Sequence, residues 1–369
     1  MLDRPPRNHV FIIDGTLSRL HEGFEGNAGL LYKLLMEVSP SPRQTVGYDP
    51  GIQGEGLQKW LNVAAGLTIN QCIETGYATL ASRYQPGDTI MLFGYSRGAY
   101  AARSLAGFIE RIGLLRRRHA TQRRVHRAFR YYQSTDDTGS GTDFSRRFCH
   151  CGVPIKLLGV WDTVRALGLP YPILSRLAPM ATEFHNHYLG DMVEHAYQAL
   201  ALDETRTAYR PLPWKRQPAW TGDLEQVWFS GAHADIGGQV GRYPVARPLS
   251  RLPLIWMLDR AERQGLILPE GWRDRFACDP AAPAFGAWRR NAKYFLFRAP
   301  RLAGHCGTEY EHGSVAERVS RRRGYRPKAR WVSAKHKPEE DHWRRQGDGG
   351  EGEGHAGGAA REPAPQQRE

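Results

Sequence analysis

DTIMLFGYSRGAYAARSLAGFIERIGLL, from Asp88 to Leu115, changes its hydrophobic period halfway along. Thr89 to Phe93 is a short apolar run with the β-branched residues and length of a buried strand, entered through the turn signal Gln85-Pro86-Gly87-Asp88. From Gly98 onward Leu105, Phe108, Ile109 and Ile112 recur at helical spacing, and Gly113 stands near the end. Ser96 therefore sits where a strand turns sharply into a helix.

The pentapeptide Gly94-Tyr95-Ser96-Arg97-Gly98 is Gly-x-Ser-x-Gly, a pattern too common among Gly-rich chains to decide anything alone. A strand before it and a helix after it make it a nucleophile elbow, in which Gly94 and Gly98 leave room for a strained turn that exposes the Ser96 hydroxyl. Ala99, Ala101 and Ala102 let the helix pack closely on a sheet. The helix N-terminus brings backbone N–H groups beside the serine, and the Arg97 N–H is the natural first donor to an oxyanion.

Working outward, the first strand is Val10 to Ile13, running into Asp14-Gly15-Thr16, with helical spacing in NAGLLYKLLMEV after it. Ile69, Cys72, Ile73, Tyr77, Leu80 and Tyr84 form the buried stripe of a helix leading into the elbow strand. Strand, helix, strand, helix is the alternation of a parallel sheet covered by helices. An Arg-rich insertion follows over 116–150, helical in its middle. Ile155 to Trp161 then reads as a core strand ending at Asp162-Thr163. Leu167 to Met180 is rich in Leu and Pro and suits a covering loop, a lid over about 167–190. VEHAYQALALDE (193–204) reads as a helix, Gln226 to Ser230 as a strand entering Gly231-Ala232-His233-Ala234-Asp235-Ile236-Gly237-Gly238, and LPLIWMLDRAERQG as an amphipathic helix. The expected architecture is α/β-hydrolase-like: a mostly parallel sheet with helices on both faces, plus helical and loop insertions, over 1–333. Residues 334–369 are charged, Gly- and Pro-rich, and read as a disordered polar tail.

Composition bounds the function. A chain of 369 residues, 41% hydrophobic, can bury one large core. No run is long and apolar enough for a transmembrane helix, and MLDRPPRNHV lacks a signal-peptide core, so a soluble, cytoplasmic product is expected as synthesised. The net charge of +13, with clusters at Arg116-Arg117-Arg118, Arg123-Arg124 and Arg321-Arg322-Arg323, favours anionic surfaces or a plain solvated basic face. Five cysteines argue against a disulfide framework; Cys149-His150-Cys151 lacks a second half at zinc-finger spacing, so no metal or other cofactor is expected.

An elbow serine needs a base, and the base an orienting carboxylate, in the chain order Ser, Asp or Glu, His. Asp162 and His233, each after a predicted strand, satisfy order and context together, with Ser96 as nucleophile. Taken singly, Asp162 could cap a turn and His233 could be a core histidine. Asp235 suits a different role, bonding backbone N–H groups of the loop at Gly237 and Gly238. The Asp14-Gly15-Thr16 turn resembles that of haloacid-dehalogenase phosphatases, but Ile12 stands where their nucleophilic aspartate belongs. Its better use is an oxyanion donor, from the N–H of Gly15 or Thr16, with Asp14 tying down the loop.

IIDGT, YDPGIQGEG, the elbow segment, GVWDTVRALG, VEHAYQALALDETR, LEQVWFSGAHADIGG, LSRLPLIWMLDRAERQGL and EHGSVAERVSRRRGYRP span Val10 to Pro327. Through them the chain resembles the α/β-hydrolase domain of type VI secretion phospholipase effectors of the first lipase class. The resemblance implies a Ser96/Asp162/His233 triad, hydrolysis of phospholipid acyl esters, export by a contact-dependent secretion system, and secretion-system and immunity partners. Two positions depart from the family pattern: Gln239 replaces the usual third glycine after HADIGG, and Gln198 replaces a common His before ALALDE. The family's long C-terminal membrane-docking region has no counterpart here.

Three functions compete. The first is hydrolysis of phospholipid esters, with the Arg-rich insertion and the apolar loop after Asp162 together holding the enzyme on an anionic membrane. The second keeps the chemistry on a small soluble ester or thioester. The third is a non-catalytic basic protein on membranes or nucleic acid, though a binding module has no need of Ser, Asp and His together, and no RNA-binding motif is present.

Overall fold

Val10, Phe11, Ile12 and Ile13 are all buried, and they form the centre of the first strand, β1 (Asn8–Ile13). The computed structural model describes residues 4–16, 18–51, 67–134, 139–164, 189–289 and 295–332. After β1 come α1 (Asn27–Glu37), β2 (Gln44–Asp49), α2 (Leu67–Arg83), β3 (Thr89–Tyr95) and α3 (Arg97–Ile112). β4 (Leu114–Leu115) leads into the Arg-rich insertion, which holds α4 (Gln122–Gln133), α5 (Ser140–Phe148) and β5 (Cys149–His150). Then follow β6 (Ile155–Trp161), β7 (Val193–Ala201), β8 (Asp223–Phe229), α6 (His233–Ile236), α7 (Arg247–Ser250) and α8 (Leu252–Arg263). The last elements are β9 (Leu302–Ala303), β10 (Glu309–Glu311), α9 (Gly313–Arg321) and β11 (Arg330–Trp331). The lid expected over 167–190 and the tail over 334–369 fall almost wholly outside the described residues.

Seven strands form one sheet in the order β10-β8-β7-β6-β3-β1-β2, and every neighbouring pair is parallel. The period-2 alternation of β3 divides its side chains between two cores: Ile90 and Leu92 pack with α2 and α3, whereas Met91, Phe93 and Tyr95 pack with α1 and α8. Each such burial contributes about 1.5–3 kcal/mol, which fixes the strand's register against the helices on both faces.

The helix expected over 193–204 is instead a strand, β7, between β6 and β8. Val193, Ala196, Tyr197 and Leu200 do recur at helical spacing in an Ala- and Leu-rich run. From Ala196 to Ala201 every residue is buried, so neither face shows the polar alternation that marks a half-exposed strand, and tertiary pairing overrides local propensity.

The chain winds outward from β1 to β2, then returns to place β3 on the other side of β1. The C-terminal ends of β1 and β3 are therefore the topological switch point, where open α/β sheets keep their sites. Asp14-Gly15-Thr16 follows one strand and Ser96 the other.

The insertion is more than a polar excursion, because Val125, Ala128, Phe129 and Tyr132 of α4 join the core beside α2 and α3. Its leading arginines lie beside Tyr84, Gln85 and Pro86, just before β3 begins, whereas Asp162 follows the end of β6. The Arg-rich cluster and the loop after Asp162 thus start from opposite ends of the sheet. The apolar stretch 167–180, expected to join this cluster in holding a membrane, lies outside the described residues.

Candidate active site

Ser96 caps α3 with φ 59° and ψ −119°, a region that non-glycine residues rarely enter. The turn persists because its surroundings over-determine it. A Cβ on Gly98 would meet the Ile13 carbonyl oxygen at 2.2 Å, and one on Gly94 would meet the Gly98 carbonyl oxygen at 2.5 Å. Both elbow glycines are required by close backbone approach. The Ser96 N–H donates to the Trp161 carbonyl at 3.0 Å, which ties the elbow to the end of β6. Strain of this kind clusters at functional turns.

Three side chains from three strand ends meet in one line. His233 Nε2 lies 2.8 Å from Ser96 Oγ, and His233 Nδ1 lies 2.6 Å from Asp162 Oδ2. Asp162 also adopts a positive φ, 44°, at the end of β6, and its other oxygen accepts the Ala201 N–H at 3.1 Å. Burial alone would raise the Asp162 carboxyl, but the Arg301 charge, then hydrogen bonds from His233 and Arg301, hold it well below the usual carboxylate range. For His233 burial dominates and lowers its pKa, against the opposing bond to Asp162. A neutral imidazole with Nδ1 protonated leaves Nε2 free to accept the Ser96 proton.

Arg301 went unnoticed in the sequence. Its guanidinium faces the carboxylate in a fork, Nη1 to Oδ1 at 2.6 Å and Nη2 to Oδ2 at 2.9 Å, and it is buried with its partner. No motif surrounds it in FRAPRLAG, and 139 residues separate it from Asp162. Glu204 and Arg206 were also missed, although they stand in the matched stretch ending LDETR. Glu204 receives Arg206 Nε at 2.8 Å and Nη2 at 2.6 Å, and its Oε2 accepts the His233 N–H at 3.2 Å. The Arg206 guanidinium lies over the Tyr209 ring at 3.8 Å, and Tyr209 meets His233 edge-on at 4.8 Å. On the other side Tyr95 stacks on His233 at 4.9 Å, with its hydroxyl donating to the His233 carbonyl. The imidazole is thus held between two tyrosines.

Asp235 bonds backbone N–H groups, but not those of Gly237 and Gly238: it accepts from Ala232, Phe285 and Gly286. A second buried histidine, His312, lies apart from this line: it caps α9 through Ser314 and stacks on Phe229.

The loop after β1 is stitched by Asp14, whose carboxylate accepts from the Gly15 N–H at 2.6 Å, Ser18 Oγ at 2.7 Å and Tyr48 Oη at 2.8 Å. The Gly15 N–H, expected as an oxyanion donor, is therefore already engaged by a carboxylate. Thr16 differs: its hydroxyl oxygen is buried without a hydrogen-bond partner. Thr16, Arg97 and Gly98 line a small cavity of about 10 Å3, the room needed for about one water-sized atom. Gln239, the departure from the glycine pattern, bridges the loops by donating to Ser18 Oγ at 2.7 Å and to the Thr16 carbonyl at 3.3 Å. Gln198, the other departure, is buried in β7 and donates to the Leu212 carbonyl at 3.3 Å. Among the described residues no group of three or more His, Cys, Asp and Glu side chains could hold a metal ion, and no helix is long and apolar enough to cross a membrane.

A parallel sheet with a serine elbow at its switch point and a histidine and aspartate at later strand ends defines an α/β-hydrolase-like protein. Residues 7–260 match the model described as "T6SS, Phospholipase effector Tle1-like, catalytic domain", and the chain belongs to that family. It is 29% identical over 238 residues to the uncharacterized protein YEL023C of Saccharomyces cerevisiae, a match covering 58% of this chain and 33% of that protein. Two solved structures are similar. One, the Tle1 effector bound to the VgrG spike of the type 6 secretion system, has a TM-score of 0.37 and 18% identity over 64% of this chain and 51% of that one. The other, an uncharacterized protein from Pseudomonas aeruginosa, has a TM-score of 0.41 and 16% identity over 75% and 49%. The chain spans about a third of the yeast relative and about half of each solved chain.

Proposed function

We propose that this protein is a serine hydrolase that cleaves acyl esters of phospholipids through an acyl-enzyme. The observation that carries the reading is the hydrogen-bonded line from Ser96 Oγ through His233 to Asp162 at the switch point of the sheet. Membership of a family described by its phospholipase effectors supports the substrate class.

In this reading Ser96 Oγ attacks the ester carbonyl carbon while its proton passes to His233 Nε2. The tetrahedral oxyanion collapses, the C–O bond breaks, and the leaving alkoxide takes that proton. Water then repeats the sequence and releases the fatty acid. Asp162 holds the imidazole tautomer and stabilises the imidazolium, and Arg301 positions Asp162. The Arg97 N–H has no intrahelical acceptor, so it is free to serve the oxyanion. The second donor in this reading is the Thr16 hydroxyl, buried without a partner, and not the backbone N–H of Gly15 or Thr16 that the sequence suggests. The family's description as type VI secretion effectors makes export through such an apparatus part of the proposal, with secretion-system and immunity proteins as partners.

The test is lipid analysis of phospholipid vesicles incubated with wild type and with Ser96→Ala. Free fatty acid and lysophospholipid with wild type alone are the expected result. Cleavage of a short-chain ester without any change in vesicle lipid would reassign the substrate to a small soluble ester. Equal product from Ser96→Ala would overturn the nucleophile.

A further inference from the structure

At the opposite end of the sheet from Ser96, an open cleft of about 660 Å3 lies between Tyr84, Pro86, His150 and the run Arg116-Arg117-Arg118. Seven residues of strand, at about 3.3 Å each, put it roughly 23 Å from the serine, so it is separate from the hydrolytic site. Its backbone is fixed: β4 pairs with β5, the Arg116 N–H donates to the Phe148 carbonyl at 2.9 Å, and His119 N–H closes a tight turn onto Arg116 at 2.6 Å.

Among the described residues no carboxylate forms an ion pair with the arginines around it. Within the insertion only His126, with Glu74, and Arg146, with Asp143, make ion pairs with described carboxylates. Arg124 and Arg147 are held instead over the Phe148 ring, at 4.8 and 5.3 Å, which leaves their N–H forks uncommitted to any anion. The field they make is felt by His119, which is lowered first by desolvation and then by Arg118, Arg124, Arg116 and Arg147. Arg116 Nη1 donates to the Arg147 carbonyl at 3.2 Å and Arg118 Nε to His119 Nε2 at 3.2 Å, which holds two of the three guanidinium groups beside the Tyr84 and His150 rings with further N–H groups left over. Arginine forks match phosphate oxygens in geometry as well as charge.

We propose that this cleft is a binding site for a multiply charged phosphate group, with Arg116, Arg117 and Arg118 as its ligands. The group comes either from a lipid headgroup or from a soluble phosphate compound. A headgroup here would turn Ser96 away from the bilayer that holds the protein, so this site tethers or regulates and does not deliver substrate.

The test is calorimetric titration of the full chain with pyrophosphate at physiological ionic strength, comparing wild type with Arg116→Gln/Arg117→Gln/Arg118→Gln and with the corresponding triple Lys variant. The proposal expects binding to weaken by about tenfold or more in the Gln variant and by a smaller factor in the Lys variant, which keeps charge but loses the fork. Short-chain ester hydrolysis should stay unchanged in both, which shows that they fold. Flotation with ether-linked phosphatidylcholine vesicles, with and without phosphatidic acid, separates the two sources. Retention on the acidic vesicles that pyrophosphate reverses identifies a headgroup, and pyrophosphate binding without retention identifies a soluble ligand. Undetectable binding by wild type, or binding equal in all three proteins, would overturn the proposal in favour of a solvated basic face.

Discussion

Arg301 and Asp162 lie fork to fork in the buried floor of the site, with nitrogen to oxygen distances of 2.6 and 2.9 Å. The carboxylate cannot rotate, since Oδ1 is also held by the Ala201 N–H while Oδ2 is shared with His233. A charged acid so far from water keeps its charge because a second charge is locked against it, and removing either alone is costly.

That relationship fixes the pH dependence. In the proposed mechanism the working base is neutral His233, whose pKa burial lowers from 6.5, so the acid limb of kcat/KM should fall below about pH 6.5. Arg301→Gln leaves the Asp162 charge facing His233 without its counter-cation, which favours the imidazolium and raises the histidine pKa. The limb should then move to higher pH, with Arg301→Lys intermediate. A limb that stays in place or moves down in Arg301→Gln would show that Arg301 does not act through His233.

Thr16→Val removes the unpartnered hydroxyl while keeping the side chain's shape. A fall in kcat of about 10²-fold with KM nearly constant is expected, the pattern of a donor used mainly in the transition state, and Thr16→Ser should restore most of it. Unchanged kcat in Thr16→Val would leave the second donor elsewhere.

Gly98→Ala tests the elbow. The added Cβ would meet two backbone carbonyl oxygens, Ile13 at 2.2 Å and Asp14 at 2.4 Å, and neither can swing aside as a side chain could. Destabilisation of about 1–3 kcal/mol or more is expected in denaturant unfolding, together with loss of Ser96 labelling by a fluorophosphonate. Wild-type stability with full labelling would contradict the close packing of β1 on the elbow.

Glu204→Gln leaves the Arg206 charge buried without its acid, as the pair is 8% and 0% exposed. Unfolding experiments should register a loss of about 3–5 kcal/mol, and a change within experimental error would mean that water reaches the pair.

What the sequence carries follows from distance along the chain. Ser96 is legible because strand, turn and helix adjoin it, and Asp162 and His233 because each ends an apolar run. The run containing β7 misleads because it is buried on both faces, so its helical spacing has no polar counter-pattern to reject it. Arg301 is invisible for another reason: its purpose is a contact with a residue 139 positions earlier, and nothing local to FRAPRLAG requires it. In the loop after β1 the sequence offers the N–H of Gly15 and of Thr16 alike, and only the folded loop shows the Asp14 carboxylate occupying the Gly15 N–H. The depth of α4 in the core is hidden by the many arginines that surround Val125, Ala128, Phe129 and Tyr132.

The central claim is that Ser96, His233 and Asp162 act as one catalytic unit, and kcat/KM for a carboxylic ester in Ser96→Ala, His233→Ala, Asp162→Asn and the triple variant tests it most directly. Each single change should cost about 10³-fold or more, and the triple variant should be little worse than the worst single one. A His233→Ala protein that retains near-normal turnover would contradict the account.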